Sequence, residues 1–304
     1  MKKALITGAA FARFGLGPGT PSPSETDAKL EYRMVPNQHV YRFGNLVTTN
    51  ERSTRSPTLA GATRKIVLVV GDSVPYGESE TAQAQLATSL LSNHPTLFAN
   101  LVAKSWGPAN EPAALRQNSD LARAAIVIVR NSEDLSAIPT FAPLDADHPA
   151  NIPILTLGEA ATTCLPRYLP ARNATPAVAS HIASDPAQLA EGRVALDSLL
   201  ADLKSQPEPA CVVLHPTLSA LKGAMSADNR EIAAHVKAQG IPRVAAQDML
   251  RKAITGGKTD SLTTSVSMQK GKSFWPAQSA TASLEQTFGP LHCCRDQQET
   301  DYDL

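Results

Sequence analysis

The chain has 304 residues, of which 28 are basic and 28 acidic, so its formal net charge is zero. It carries no block of like charge and only 5% aromatic residues, so it lacks the charged and stacking surfaces that bind nucleic acids, and we expect no nucleic-acid partner. The 42% hydrophobic residues are enough for a substantial core, and the length fits one large domain with extensions.

Cofactors, metals and membranes are also disfavoured by the sequence. The four cysteines show no CxxC or Cys/His ligand spacing, so we expect no metal site and no cofactor. No apolar run approaches the length of a membrane span. The basic start has a short apolar stretch that Arg13 and several glycines interrupt too early for a secretory signal. We therefore expect a cytoplasmic protein, and the sequence leaves its oligomeric state open.

Residues 1–62 are predicted to be a lead-in to the main domain. Residues 15–26 are rich in Gly, Pro and Ser, which is typical of a linker. Residues 32–50 carry β-branched, aromatic and other apolar residues separated by turn residues, which predicts a short β-rich passage.

From residue 63 to residue 272 the pattern alternates between strands and helices. This alternation implies right-handed crossovers and a largely parallel sheet between two helical layers, so we predict a three-layer, doubly wound α/β domain. The predicted strands lie at 66–70, 97–103, 125–129, 211–214 and 241–245, and the predicted helices lie near 80–92, 110–124, 188–204 and 217–239 and from 247 onward.

Two segments depart from the alternation. Residues 132–189 form a long Pro-rich insertion. A compact domain rarely has so long an irregular segment unless it covers or lines a site, but an ordered surface wrap held by its prolines is an equal alternative. Residues 273–304 show neither the helical nor the strand period, which predicts a separate C-terminal tail.

The most informative motif is the Gly-Asp-Ser at residues 71–73. Five apolar residues precede it, and such a run predicts a strand buried on both faces. The motif therefore places the Ser73 hydroxyl at the carboxyl end of a strand, where open α/β sheets bind their ligands. A serine in this position can be a nucleophile, with Asp72 as a turn-forming and hydrogen-bonding residue. The alternative is a strand-to-helix turn in which Ser73 is the helix N-cap.

Two further predicted strands end in neutral hydrogen-bond donors. Gly107 follows the second strand and can present its backbone N–H, and Asn131 follows the third strand and offers a side-chain amide. Because the carboxyl ends of parallel strands meet at one edge, the three residues are expected to converge. A nucleophile with two neutral donors is the arrangement that acyl transfer requires.

These residues together resemble the SGNH (GDSL-like) serine hydrolase superfamily, in a bacterial subgroup. The segment 71–73 with Gly77 matches the family's first block, Gly107 matches the second, and Asn131 is the nearest match to the asparagine of the third. That third block usually reads Gly-x-Asn-Asp, and this chain has Arg-Asn-Ser-Glu-Asp at residues 130–134 instead. The resemblance implies a flavodoxin-like sheet, Ser73 as the nucleophile, and an oxyanion hole formed by Ser73, Gly107 and Asn131.

The general base is not evident in the sequence. The family's last block is Asp-x-x-His, and aligning Asp260 with its aspartate places Thr263 at the histidine position. His215 directly follows a predicted strand and is expected at the same sheet edge as Ser73, so it is a candidate base. A histidine hydrogen-bonded to a loop is the alternative. His292 could reach the site only if the tail folds back.

Two hypotheses about function follow. The first is a serine ester hydrolase, an esterase or deacetylase acting on an O-acylated carbohydrate or a small ester. The second is a catalytically impaired relative that keeps the pocket and binds a glycan or a partner, as the missing Asp-x-x-His suggests. The first is preferred. A nucleotide-binding α/β protein is disfavoured because the chain has no glycine loop of the spacing that cradles phosphates.

Overall fold

The fold is taken from a computed structural model. It describes residues 24–42, 45–76, 96–103, 106–132, 134–136, 138–139, 185–216 and 218–255. The helix predicted near 80–92, most of the Pro-rich insertion and the predicted C-terminal tail lie outside these residues, as do Gly77, Asp260 and His292.

A five-stranded parallel sheet forms the centre of the fold. Its strands are β5 (Lys65–Gly71), β6 (Thr96–Val102), β7 (Arg123–Arg130), β8 (Ala210–Leu214) and β9 (Arg243–Ala245). Their spatial order is β6-β5-β7-β8-β9. Counting these five strands along the chain, the order is 2-1-3-4-5, which is that of flavodoxin-like doubly wound sheets. The predicted α/β fold with a flavodoxin-like parallel sheet is confirmed.

Strand β5 shows why its sequence is an unbroken apolar run. Ile66, Leu68 and Val70 belong to the larger core cluster, whereas Val67 and Val69 belong to a second cluster. Successive side chains of a strand point to opposite faces of a sheet. Both faces of β5 are therefore buried, and an alternating polar pattern is not possible.

Six helices lie among the described residues. They are α1 (Ser73–Tyr76), α2 (Glu111–Gln117), α3 (Pro186–Ser205), α4 (Leu218–Lys222), α5 (Ala227–Ala238) and α6 (Ala246–Thr255). In α3 the buried leucines at 196, 199, 200 and 203 follow the helical repeat, and they share the larger core cluster with Ile232 and Val236 of α5. Asp185 caps α3 by accepting a hydrogen bond from the Ala187 N–H at 3.0 Å.

Two predicted helices are wrong in extent. The helix expected over 217–239 is divided into α4 and α5, because the Ser226 hydroxyl accepts a hydrogen bond from the Asn229 N–H at 3.2 Å and starts a new helix. The helix expected over 110–124 ends at residue 117, and β7 already begins at Arg123. Arg123 forms an ion pair of 3.1 Å with Glu208 at the start of this strand.

The β-rich passage of the lead-in forms two antiparallel hairpins, β1 (Ser24–Asp27) with β2 (Glu31–Met34), and β3 (His39–Arg42) with β4 (Asn45–Thr48). Hydrogen bonds attach the first hairpin to the loop after β6. The Trp106 indole N–H donates to the Tyr32 carbonyl at 3.0 Å, and the Asn110 amide donates to the Leu30 carbonyl at 3.0 Å. The first hairpin therefore packs against the α/β domain, and Val47 of the second shares a buried cluster with Val102 of β6. No helix among the described residues has the length and apolar character needed to cross a bilayer.

Gly192 offers a test of the packing between α3 and the loop that follows β7. A Cβ atom at this position would lie 1.8 Å from the Leu135 carbonyl oxygen. Because the obstacle is backbone, we expect Gly192→Ala to lower the free energy of unfolding by about 3 kcal/mol, measured by urea denaturation.

Gly240→Ala is the matched control. Gly240 has φ of +69°, and a Cβ atom added there would have no neighbour within 4 Å, so this variant is expected to lose about 1 kcal/mol through its backbone conformation alone. Equal losses in the two variants would contradict the close approach of α3 to the loop.

Candidate active site

The candidate site lies at the carboxyl end of the sheet, between β5 and β7. The strand that follows β5 in the chain pairs on one side of it, and the later strands lie on the other side. This reversal is a topological switch point, where open α/β sheets form a crevice that binds ligands. Ser73 follows β5 and Asn131 follows β7, so the two residues lie on either side of the switch point.

The turn after β5 leaves the Ser73 hydroxyl available. Helix α1 is capped by Asp72, whose Oδ1 accepts a hydrogen bond from the Val74 N–H at 3.0 Å, so the N-cap is Asp72 and not Ser73. Ser73 is exposed. Only glycine fits at position 71, because a Cβ there would lie 2.8 Å from Pro75 Cγ and 3.0 Å from the Val129 carbonyl oxygen. The Ser73 hydroxyl is therefore not used to cap the helix.

Two buried polar side chains hold the far end of α1. The Asn100 amide donates to the Pro75 carbonyl, and the Arg55 guanidinium donates to the Tyr76 carbonyl. Arg55 also lies 5.0 Å from the centroid of the Tyr76 ring. Both side chains are fully buried. The sequence motifs predict neither residue, although an asparagine within an apolar strand is a signal for Asn100.

The Asp72 carboxylate joins the two predicted functional residues. Its Oδ2 accepts a hydrogen bond from the Ser73 hydroxyl at 3.2 Å and another from the Asn131 amide at 2.5 Å. The predicted nucleophile and the predicted oxyanion donor therefore share one acceptor atom. The structure brings these two residues together.

Gly107 is buried and its N–H is already engaged. It donates to Oδ1 of Asn110 at 3.0 Å, and the Asn110 N–H donates back to the Gly107 carbonyl at 3.0 Å. This turn leads directly into α2. The role of Gly107 as an oxyanion donor stays a prediction, and it requires the bond to Asn110 to open.

His215 lies at the predicted sheet edge, directly after β8. Its backbone N–H donates to the Arg130 carbonyl at 2.7 Å. Burial lowers the pKa of His215, and the negative charge of Asp72 partly offsets this effect. The imidazole is therefore neutral near pH 7, the form that a general base needs. Within the described part of the chain, the Ser73 hydroxyl bonds to Asp72 and not to an imidazole. His215 as the base stays a prediction.

Beneath Asn131 lies a buried ionic cluster, which consists of Glu111, Arg130 and Asp134. Arg130 ends β7 with its side chain fully buried, and it pairs with the Glu111 carboxylate and, at 3.0 Å, with Asp134 Oδ2. Asp134 Oδ2 also accepts a hydrogen bond from the Asn131 N–H at 3.0 Å. Arg130 belongs to the segment that departs from the family's third block, but the sequence motifs predict neither carboxylate.

Burial raises the pKa of Asp134 to about 7. The positive charge of Arg130 lowers this pKa and the negative charge of Asp72 raises it. Asp134 can therefore change its charge near neutral pH while it remains hydrogen-bonded to the main chain of the site. Among the residues that the structure describes, no three His, Cys, Asp or Glu side chains are grouped so that they could hold a metal ion.

The fold and the site define the class of the protein. It is a doubly wound α/β protein of flavodoxin-like topology, with an exposed serine and an asparagine amide facing one carboxylate at the switch point. Neither a family model nor a curated protein sequence matches the chain.

Solved structures show distant likenesses. An acetylxylan esterase from Geobacillus stearothermophilus is 12% identical with a TM-score of 0.39, and the match covers 74% of this chain and 94% of the esterase. An α/β hydrolase from the metagenome of Lake Arreo, Spain, is 14% identical with a TM-score of 0.35, and the match covers 64% of this chain and 82% of the hydrolase.

The buried cluster gives a prediction about stability. Glu111→Gln removes one charge from a fully buried ion pair. Breaking such a pair leaves a buried charge poorly compensated, so we expect the free energy of unfolding to fall by about 3 kcal/mol, measured by urea denaturation.

The control is Asp202→Asn, which breaks the exposed pair between Arg116 and Asp202. Exposed ion pairs contribute little, so its effect should stay within about 0.5 kcal/mol. If both variants lost the same small amount, the Glu111–Arg130 pair would not be the buried interaction described above.

Proposed function

We propose that the protein is a serine ester hydrolase of the SGNH (GDSL-like) type, with Ser73 as its nucleophile. One observation carries this proposal, namely that the Ser73 hydroxyl and the Asn131 amide meet at Asp72 Oδ2 at the switch point. Acyl transfer needs a nucleophile and an oxyanion donor within one small volume. The resemblance of the segment 71–73 to the family's first block supports the same conclusion.

The proposed reaction follows acyl transfer through a covalent intermediate. Ser73 Oγ attacks the carbonyl carbon of an ester, and its proton passes to a base, for which His215 is the candidate. The carbonyl oxygen becomes an oxyanion and accepts a hydrogen bond from the Asn131 amide, whose second N–H stays on Asp72. Collapse of this intermediate expels the alcohol, which takes the proton from the base. Water then attacks the acyl-serine, releases the acid and restores the hydroxyl.

As the substrate class we propose an O-acylated carbohydrate or a small ester. Ser73 is exposed and lies at the edge of the sheet, so a bulky alcohol portion such as a sugar can approach it. The overall charge balance of the chain favours a neutral substrate over a polyanion.

A second candidate function is binding of an acylated ligand without turnover. It is favoured by the partner of the Ser73 hydroxyl, which is the Asp72 carboxylate rather than an imidazole. The engaged N–H of Gly107 also favours it. In this alternative the crevice holds an ester, but no group removes the serine proton.

The substitution Ser73→Ala tests the nucleophile. We expect the wild-type chain to hydrolyse p-nitrophenyl acetate and to be labelled by a fluorophosphonate probe. The variant removes the attacking oxygen, so its turnover should fall on the order of 10⁴-fold or more and its labelling should disappear.

Ser205→Ala is the matched control, because Ser205 is a serine at the end of α3 whose hydroxyl donates to the Asp202 carbonyl. It should keep full activity and labelling. The same assays on His215→Ala show whether this imidazole is the base. No labelling and no Ser73-dependent turnover in the wild type would contradict the hydrolase proposal and favour ligand binding.

The substitution Asn131→Ala tests the oxyanion donor. Loss of one donor lowers kcat by about 10²-fold or more, whereas KM should change little because the donor acts mainly in the transition state. Steady-state kinetics with p-nitrophenyl acetate measure both constants. Asn131→Asp should be at least as impaired, because a second carboxylate would face Asp72. A change confined to KM would show that Asn131 binds substrate and does not stabilise the oxyanion.

A further inference from the structure

We propose that the buried cluster of Glu111, Arg130 and Asp134 is a positioning device that holds Asn131 so that its amide stays at Asp72 and Ser73. The inference rests on the proposed function for its catalytic consequence. Its structural content, which is that Asp134 fixes the Asn131 main chain, can be measured independently of activity.

Hydrogen bonds connect Asp134 to Asp72 through Asn131. Oδ2 of Asp134 accepts one bond from the Asn131 N–H and one from Arg130, each at 3.0 Å. Asn131 then donates its side-chain amide to Asp72. One carboxylate oxygen therefore anchors the backbone of the residue whose side chain faces the serine.

The cluster joins β7 to α2. Arg130 is the last residue of β7, and its guanidinium reaches across to Glu111, the first residue of α2. Helix α2 directly follows the turn that contains Gly107. The cluster thus ties the end of β7, which Asn131 follows, to the start of α2, which follows the turn that contains Gly107.

The surroundings of Asp134 decide how its charge behaves. Arg130 faces it from β7, Asp72 acts on it from the turn after β5, and Glu111 of α2 competes for the same guanidinium. On the α3 side, Gly192 packs against Leu135 of the same loop, and it carries no charge. At the end of β8, His215 is bonded through its backbone N–H to the Arg130 carbonyl.

Protonation of Asp134 should be visible at Asn131. Because the pKa of Asp134 is raised to about 7, its carboxylate forms as the pH rises through neutrality. A charged acceptor makes a shorter and stronger hydrogen bond. In proton–nitrogen NMR spectra, the Asn131 backbone amide should therefore move downfield with a midpoint near pH 7. This titration should be absent in Asp134→Asn.

Stability should change over the same range. The pKa of Asp134 is about 7 in the folded chain and 3.8 in the reference state. The neutral form of Asp134 therefore stabilises the folded chain fully at pH values below 3.8, and this stabilisation is lost as the pH rises through about 7. Asp134→Asn cannot ionise, so its unfolding free energy should not carry this decline.

The kinetic test compares two substitutions at the same position. Asp134→Ala removes the acceptor for the Asn131 N–H, and we expect kcat to fall on the order of 10²-fold, as for a misplaced catalytic group, with KM little changed. Asp134→Asn keeps an oxygen acceptor and should restore most of the rate. Its pH–kcat profile should lose the inflection near pH 7 that the Asp134 carboxyl contributes.

Glu208→Ala is the matched control, because Glu208 forms the other largely buried ion pair of β7, with Arg123 at the opposite end of the strand. It should lower stability but leave kcat and the Asn131 signal unchanged. If it lowered kcat as Asp134→Ala does, the effect would be one of general stability and the proposal would be overturned.

The failure of this inference can be distinguished from the failure of the proposed function. An Asn131 amide whose signal is identical in wild type and Asp134→Asn at every pH overturns the positioning device whatever the activity. A titrating amide without Ser73-dependent turnover supports the device and rejects the hydrolase. If Asp134→Ala does not fold, Asp134→Asn supplies both readouts.

Discussion

The buried positive charge of Arg130 determines how the loops around the site are arranged. A guanidinium taken out of water is costly unless acidic partners meet it with good geometry. Here the partners come from outside the strand, one from the start of α2 and one from the loop after β7. Because the arginine ends β7, both loops must return to the same point. The carboxyl edge of the sheet, where Ser73 lies, is shaped by this requirement.

The sequence predicted the parts of the fold that depend on local periodicity and failed where distant residues decide. The run at 66–70 and the Gly-Asp-Ser after it were sufficient to locate β5 and the exposed serine, because burial on both faces leaves a continuous apolar pattern. The helix expected over 217–239 was too long, since the pattern continues through the Ser226 cap. Glu111 could not be recognised, because an ion pair has no period and this residue lies 19 positions from Arg130 in the chain. Asp134 lies only four residues after Arg130, but the local sequence does not indicate that the arginine side chain is buried.

Asp72 has two effects that oppose each other in the proposed reaction. It orders the Ser73 hydroxyl and the Asn131 amide in the resting site, but a carboxylate beside a developing oxyanion disfavours the charge that must form there. The Asn131 amide has two N–H donors, so one can remain on Asp72 while the other binds the oxyanion. The Asp72 carboxylate therefore preorganises the site and at the same time places an unfavourable charge beside the oxyanion.

The two arginines of β7 have a consequence for how the sheet assembles. Arg123 and Arg130 stand at opposite ends of one strand, and each reaches a carboxylate on a separate segment. If β7 paired with β5 one residue out of step, its inward and outward side chains would exchange faces, and both ion pairs would be broken together. The pairing of β5 with β7 shifts register between Ile66 and Val67, at the end of the strand where Arg123 lies. The charged ends thus select one alignment of an apolar strand that would otherwise tolerate several.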